Sequence, residues 1–230
     1  MKLHRLACAI GLIALLCLPV PLQAQPAKAG TVAEPGALPA TIPIFPLQDV
    51  MLFPNVLRPL LIFEPRYRAM VADALKGDRI IGMVMLRPGH EAEYEGRPPV
   101  YPIGCAGVMT DVEQLPDGRY TIVLQGLVKF RIAGEDQSRP YRLARVEAMP
   151  ETLIDEDREA LRVERRRLVS VLADILTPGT KLPPPTFPDV DLVNTVAQYV
   201  DIEPVDRQSL LEINGPLARS RALIELLEKR

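Results

Sequence analysis

The spacing of apolar residues changes near Pro150. Before this residue, apolar positions form short runs broken by prolines and glycines, such as "IPIFPL" and "VLRPLLIF". Because proline cannot donate to a β-ladder, such runs are typical of edge strands, bends and strand starts. The region 41–150 is therefore predicted to fold as an irregular, barrel-like sheet.

After Pro150 the apolar spacing is helical. A stripe of four residues predicts a helix of about five turns over residues 157–176: Leu161, Leu168, Leu172 and Ile175. Three shorter helical segments follow a proline-rich break, and "NGP" between the last two pairs a helix stop with a proline that starts the next helix. The region 151–230 is expected to be a helical bundle, which makes the predicted fold class α+β.

Two local patterns inside the first region are specific. A helix is predicted to begin at Pro65, because one apolar face has helical spacing: Tyr67, Met70, Val71, Ala74 and Leu75. A hairpin is predicted where "IGCAGVMTDVEQL" and "RYTIVLQGLVKFRIAGE" flank the turn "PDG". Gly126 interrupts the second strand, where a β-bulge would let the sheet curl.

The amino terminus has the pattern of an export signal. A basic start, an apolar run over residues 6–18 and a small residue at Ala24 predict a signal peptide over residues 1–24, cleaved before Gln25. The run is shorter than the ~20 residues that span a bilayer. Residues 25–40 are rich in Ala, Pro and Gly and are read as a flexible leader. The expected location is the periplasm.

Cleavage would change the charge and the cysteine content. The 27 Lys and Arg would fall to 25 against 29 Asp and Glu, giving a net charge near −4. Cys8 and Cys17 would be lost, so Cys105 would remain alone and no internal disulfide could form. Stability would then depend on the core.

Three separated blocks of the sequence resemble the amino-terminal, substrate-binding domain of Lon proteases, particularly its stand-alone relatives. These are the segments that begin "IPIFPLQDVMLFPNVLRP", "YPIGCAGVMTDVEQLPDG" and "PYRLARVEAMPE". The first block contains a Pro-Leu-x-Asp-x-x-x-Phe-Pro run at 46–54, followed by Glu-Pro-Arg-Tyr at 64–67. The resemblance covers nearly everything after Thr41.

The resemblance implies a PUA-like β-barrel followed by a helical bundle, and a role in engaging polypeptide substrates or partners. No G-x-x-x-x-G-K-[ST] phosphate loop occurs in the sequence, and we expect neither an ATPase module nor a Ser-Lys protease domain. We therefore expect a non-catalytic binding module for unfolded or extended polypeptide, with no cofactor or metal. An adaptor domain of a cell-envelope complex is the alternative.

Apolar residues in the irregular segments are the predicted peptide-binding site, because an extended peptide can add to an open strand edge. They are Met51, Phe53, Pro54, Phe63 and Tyr67. The competing interpretation is that most of them belong to the core.

Three other site chemistries are weaker. Cys105 and His90 could act as nucleophile and base of a hydrolase, but only if the thiol is exposed. "HEAEYE" at His90 lacks the second histidine of a zinc helix. The basic residues at 165–167 point in different directions on a helix among acidic neighbours, so nucleic-acid binding is not expected.

Overall fold

The structure is a computed structural model and describes residues 38–94, 96–177 and 180–229. Its strands are β1 (Thr41–Leu47), β2 (Leu57–Ile62), β3 (Ile80–Met85), β4 (Ile103–Gln114), β5 (Tyr120–Asp136) and β6 (Arg142–Met149). Its α-helices are α1 (Pro65–Ala74), α2 (Asp155–Ile175), α3 (Asp189–Tyr199), α4 (Pro204–Glu212) and α5 (Pro216–Glu228). In this part of the chain, no helix combines the length and apolarity needed to cross a membrane.

Several predictions fall on residues outside the described ranges. They are the signal peptide (1–24), its cleavage between Ala24 and Gln25, and most of the leader (25–40). The α+β fold class is confirmed, and the change of apolar spacing at Pro150 falls between β6 and α2.

The strand pairings close into a ring. The order is β2-β5-β4-β3-β1-β6, and β6 also pairs with β5. Closure depends on the length of β5: its first part, Tyr120–Gln125, pairs with β2, and its last part, Lys129–Asp136, pairs with β6. The ring consists of β1, β3, β4, β5 and β6, and β2 pairs with β5 outside it. All five ring strands contribute to one apolar cluster, which therefore fills the ring: Ile42, Ile44, Ile80, Val84, Ala106, Phe130 and Ala144.

The predicted bulge lies beside Gly126. Gly126 pairs with Gly107 and Val128 with Ala106, which leaves Leu127 as the extra residue of β5. A Cβ at Gly126 would lie 2.0 Å from the Phe53 carbonyl oxygen, so only glycine allows that approach. The bulge thus brings the segment before β2 against the middle of β5.

The helices and the sheet share a second, larger core. α1 buries Tyr67, Met70 and Val71 there, as its apolar face predicts, and Leu161, Leu168 and Leu172 of α2 join them. Ile175 was expected on the same stripe but is 45% exposed, because α2 ends at this residue. Gly215, at φ 87°, separates α4 from α5 as the "NGP" motif predicts.

Candidate functional site

Three of the five residues predicted to bind peptide are core residues. Met51 and Tyr67 are 3% exposed and Phe53 is 0% exposed. Met51 and Phe53 are buried because the segment before β2 folds inward against Gly126, and Tyr67 is buried on the apolar face of α1, so these three side chains belong to the core, as the competing interpretation holds. Pro54 is half-buried and Phe63 is 60% exposed.

Helix α3 fixes the inward-folded segment through polar side chains. The buried Gln198 accepts a hydrogen bond from the Phe53 N–H (2.9 Å) and donates one to the Leu57 carbonyl (2.9 Å). Asn194, one turn earlier, donates to the Pro54 carbonyl (3.0 Å). These bonds pair backbone groups that have no partner in a neighbouring strand. They also provide hydrogen-bond partners for the buried side-chain amides of Asn194 and Gln198. The start of β2 is thereby anchored.

Strand β2 carries a row of exposed apolar side chains. Leu57 and Leu61 are 51% and 47% exposed, and Pro59 between them is also exposed. Alternate residues of a strand share a face, so these three lie on one side of β2, and Phe63 follows directly. We refer to Leu57, Pro59, Leu61 and Phe63 as the apolar row.

The backbone edge of β2 is only partly open. The Leu57 carbonyl accepts hydrogen bonds from Gln198 and, at 2.5 Å, from the Tyr199 hydroxyl, so it points away from β5. Because alternate residues direct their backbone groups to the same side, Pro59 also faces outward, where it has no N–H to offer. Few groups remain for an added strand, so the side chains of the row are the main feature that this edge exposes to solvent.

A shallow depression of about 420 Å³ lies beside the row. Pro59 and Leu61 form one wall, Thr121 and Val123 of β5 form the floor, and Asp111 of β4 lies opposite. Sequence reasoning missed Leu57, Pro59 and Leu61 because "VLRPLLIF" reads as one apolar run. Its proline does predict an edge strand, and the alternate positions on either side of Pro59 were the signal that could have identified Leu57 and Leu61.

A buried ionic cluster connects β5 to α5. Lys129 and Arg219 are both 0% exposed and share the carboxylate of Glu151, with Lys129 Nζ 2.7 Å from Oε1. Asn194 accepts a bond from Arg219 (2.7 Å), which connects the cluster to α3. Although burial alone would raise the pKa of Glu151, Arg219 and Lys129 outweigh it and hold that pKa below its usual range.

The alternative site chemistries do not assemble. Cys105 is 0% exposed in β4, and burial raises the pKa of its thiol far above neutrality, which contradicts the hydrolase hypothesis. His90 lies in a loop, 3.0 Å from a Glu93 oxygen. The described residues contain no group of three or more His, Cys, Asp or Glu side chains placed to hold a metal ion.

Two of the three basic residues at 165–167 of α2 pair with acidic residues of other helices. Arg165 pairs with Asp189 (3.0 Å) and Arg167 with Glu228. Both contacts join α2 to other helices, which gives these arginines a role in packing the bundle.

Comparisons with known proteins agree on one family. The model of the ATP-dependent protease La (LON) substrate-binding domain matches residues 41–229. A Lon protease of Anaeromyxobacter dehalogenans is 27% identical over 199 residues, covering 84% of this chain and 24% of that protein. The Lon protease of Escherichia coli is 24% identical over 194 residues, covering 81% and 24%. The chain thus spans about a quarter of the length of these curated relatives.

Solved structures show the same fold. The N-terminal domain of the Mycobacterium avium complex Lon protease aligns with a TM-score of 0.60 at 16% identity, over 83% of this chain and 99% of that one. A Lon N-terminal domain protein from Xanthomonas campestris aligns with a TM-score of 0.55 at 21% identity, over 80% and 97%.

Proposed function

Because this chain belongs to the family of LON substrate-binding domains, we propose that it is a non-catalytic module that binds extended polypeptide through the apolar row. The observation that carries this proposal is the exposure of Leu57, Pro59 and Leu61 on alternate positions of an edge strand, together with the exposed Phe63 just after its end. Contiguous apolar surface of this kind marks interaction sites on soluble proteins.

Binding at this row is driven by burial of apolar side chains and is therefore weak and reversible. A ligand gains about 25 cal/mol per Å² of apolar surface removed from water, and ordering of the flexible peptide offsets part of that gain. The anchoring of Phe53, Pro54 and Leu57 by α3 keeps the row in place before the ligand arrives. A preformed row lowers the ordering cost on the protein side.

The test uses a neutral decapeptide of alternating Leu and Gln with blocked ends, titrated by calorimetry. Leu61→Ala with Phe63→Ala removes two anchors worth on the order of 1 kcal/mol each, so affinity should fall about tenfold or more. The matched control is Ile154→Ala with Val163→Ala, which truncates side chains that are 55% and 50% exposed elsewhere.

The control should bind like the parent protein. Unchanged affinity in a folded Leu61→Ala, Phe63→Ala variant would reject the row as the binding site. An adaptor for a cell-envelope complex, the alternative function, would instead show no affinity for the neutral peptide and saturable binding to one folded partner.

We also propose that the protein is exported and begins at Gln25. The basic start, the apolar run and Ala24 support this proposal. Mass spectrometry of the native protein should find a chain beginning near Gln25 in the periplasmic fraction. A chain beginning at Met1 in the cytosol would reject it.

A further inference from the structure

A second row of side chains lies on the same face as the apolar row. Leu61 pairs with Thr121, which pairs with Glu113 of β4. Pro59 pairs with Val123, which pairs with Asp111. Directly paired residues project from the same face of a sheet, so Asp111 and Glu113, the acidic row, run parallel to the apolar row. Two strand spacings separate the rows by about 10 Å.

The acidic row lies apart from the salt bridges of the described part of the chain. Both side chains are exposed, and neither takes part in an ion pair there. The nearest acidic residue along the chain with a partner is Asp117, which pairs with Arg119 (2.7 Å) in the turn. Between the rows, β5 contributes only uncharged side chains: Thr121, Val123 and Gln125.

The depression beside β2 joins the two rows. Its walls include Leu61 on one side and Asp111 on the other, with Val123 at the floor. An extended chain directs successive side chains to opposite sides. A segment lying along β5 therefore sends alternate residues toward the apolar row and the intervening residues toward the acidic row, each about one strand spacing away.

We propose that this face selects extended polypeptide segments in which apolar residues alternate with Lys or Arg. The inference rests on the proposed function and adds a charge requirement to it. The apolar row supplies affinity, and the acidic row discriminates, because Lys and Arg gain from two unpaired carboxylates whereas Glu and Asp are repelled by them.

The experiment compares three blocked decapeptides in which Leu alternates with Lys, Gln or Glu, titrated by calorimetry at low ionic strength. Affinity should decrease from Lys to Gln to Glu, with about a tenfold difference between Lys and Glu, because the two exposed carboxylates attract Lys and repel Glu. The difference should shrink in about 1 M salt, where charges are screened within about 3 Å. Affinity for the Gln peptide should change little with salt.

The decisive variant is Asp111→Asn with Glu113→Gln. It should bring the Lys and Glu peptides to within about twofold of each other and leave the Gln peptide unaffected, because the apolar row is intact. The control Asp174→Asn with Glu225→Gln makes the same change in net charge at exposed positions on α2 and α5. This control should retain the preference for Lys.

Four outcomes would overturn the inference. Binding of the Gln peptide without discrimination between Lys and Glu rejects the charge requirement alone. An undiminished Lys preference in the Asp111→Asn, Glu113→Gln variant places the selectivity elsewhere, and an equal loss in the control assigns it to net charge. Failure of wild-type protein to bind any of the three peptides rejects the proposed function as well.

Discussion

The two faces of the β2–β5–β4 sheet carry apolar residues of similar type, but those on one face are buried and those on the other are exposed. On the inner face Ile62, Ile122 and Leu124 are at most 2% exposed and join the core shared with the helices. On the outer face Leu57 and Leu61 are 51% and 47% exposed. Residue type therefore does not distinguish buried from exposed positions in this sheet. Strand parity does.

The inner face also contains the charges that an apolar core normally excludes. Lys129 and Arg219 both pair with the Glu151 carboxylate, and each also donates a hydrogen bond to a backbone carbonyl. A buried cluster of this kind adds little net stability over an apolar alternative, but it becomes costly when one member is lost. The cluster fixes the positions of β5, the segment after β6 and α5 relative to one another.

Phe53→Ala should give the largest effect. Phe53 is 0% exposed and its ring lies 5.7 Å from the Arg219 guanidinium. Truncating a buried phenylalanine costs about 3–5 kcal/mol of unfolding free energy, measurable by urea denaturation. A cost below about 1 kcal/mol would contradict the assignment of this residue to the core.

The burial of Phe53 is also a feature that the sequence alone does not predict. The family, the α+β class, the hairpin, the bulge at Gly126 and the start of α1 all follow from local spacing or from motifs. Whether Phe53 or Phe63 is exposed depends on where α3 lies, about 140 residues along the chain. The hydrogen bonds from Asn194 and Gln198 to the segment before β2 join residues 140 to 145 positions apart, and no local pattern encodes them.

Glu151→Gln should destabilise the protein by about 3 kcal/mol. The substitution keeps the shape and one acceptor, but it leaves Lys129 and Arg219 buried without a counter-charge. The comparison is Glu159→Gln, which removes an exposed pair with Arg162 (63% and 69% side-chain exposure) and should cost less than about 1 kcal/mol. Equal effects of the two substitutions in urea denaturation would show that the cluster is unimportant.

Low pH should remove the contribution of Glu151 to the unfolding free energy of the wild-type protein. The folded pKa of Glu151 lies below its unfolded value of about 4.3. The stabilisation is therefore fully present above that unfolded pKa and is lost as pH falls through the folded pKa. The stability difference between wild type and Glu151→Gln should be constant near neutrality and shrink below about pH 4. A difference independent of pH down to full protonation would assign the effect to packing.

Gln198→Leu should cost about 2 kcal/mol, because the Phe53 N–H then loses its acceptor in a buried setting. Tyr199→Phe is the matched control: it removes a hydrogen bond to the same Leu57 carbonyl from a side chain that is 51% exposed. That control should cost about 0.5–1 kcal/mol. If both substitutions cost the same, α3 does not hold the segment through Gln198 in the way the geometry indicates.

The smallest effect on stability is expected on the outer face. Leu61→Ala with Phe63→Ala truncates side chains that are 47% and 60% exposed, so little buried apolar surface is lost and no cavity forms. The unfolding free energy should stay within about 0.5 kcal/mol of wild type, with an unchanged urea slope. The same variant should lose most of its affinity for the neutral peptide, whereas Phe53→Ala, studied at a temperature where it remains folded, should keep it. Phe53→Ala would then lower stability without changing binding, and the outer-face variant would lower binding without changing stability. A strongly destabilised outer-face variant would show that the apolar row serves the fold, and the proposed binding surface would lose its basis.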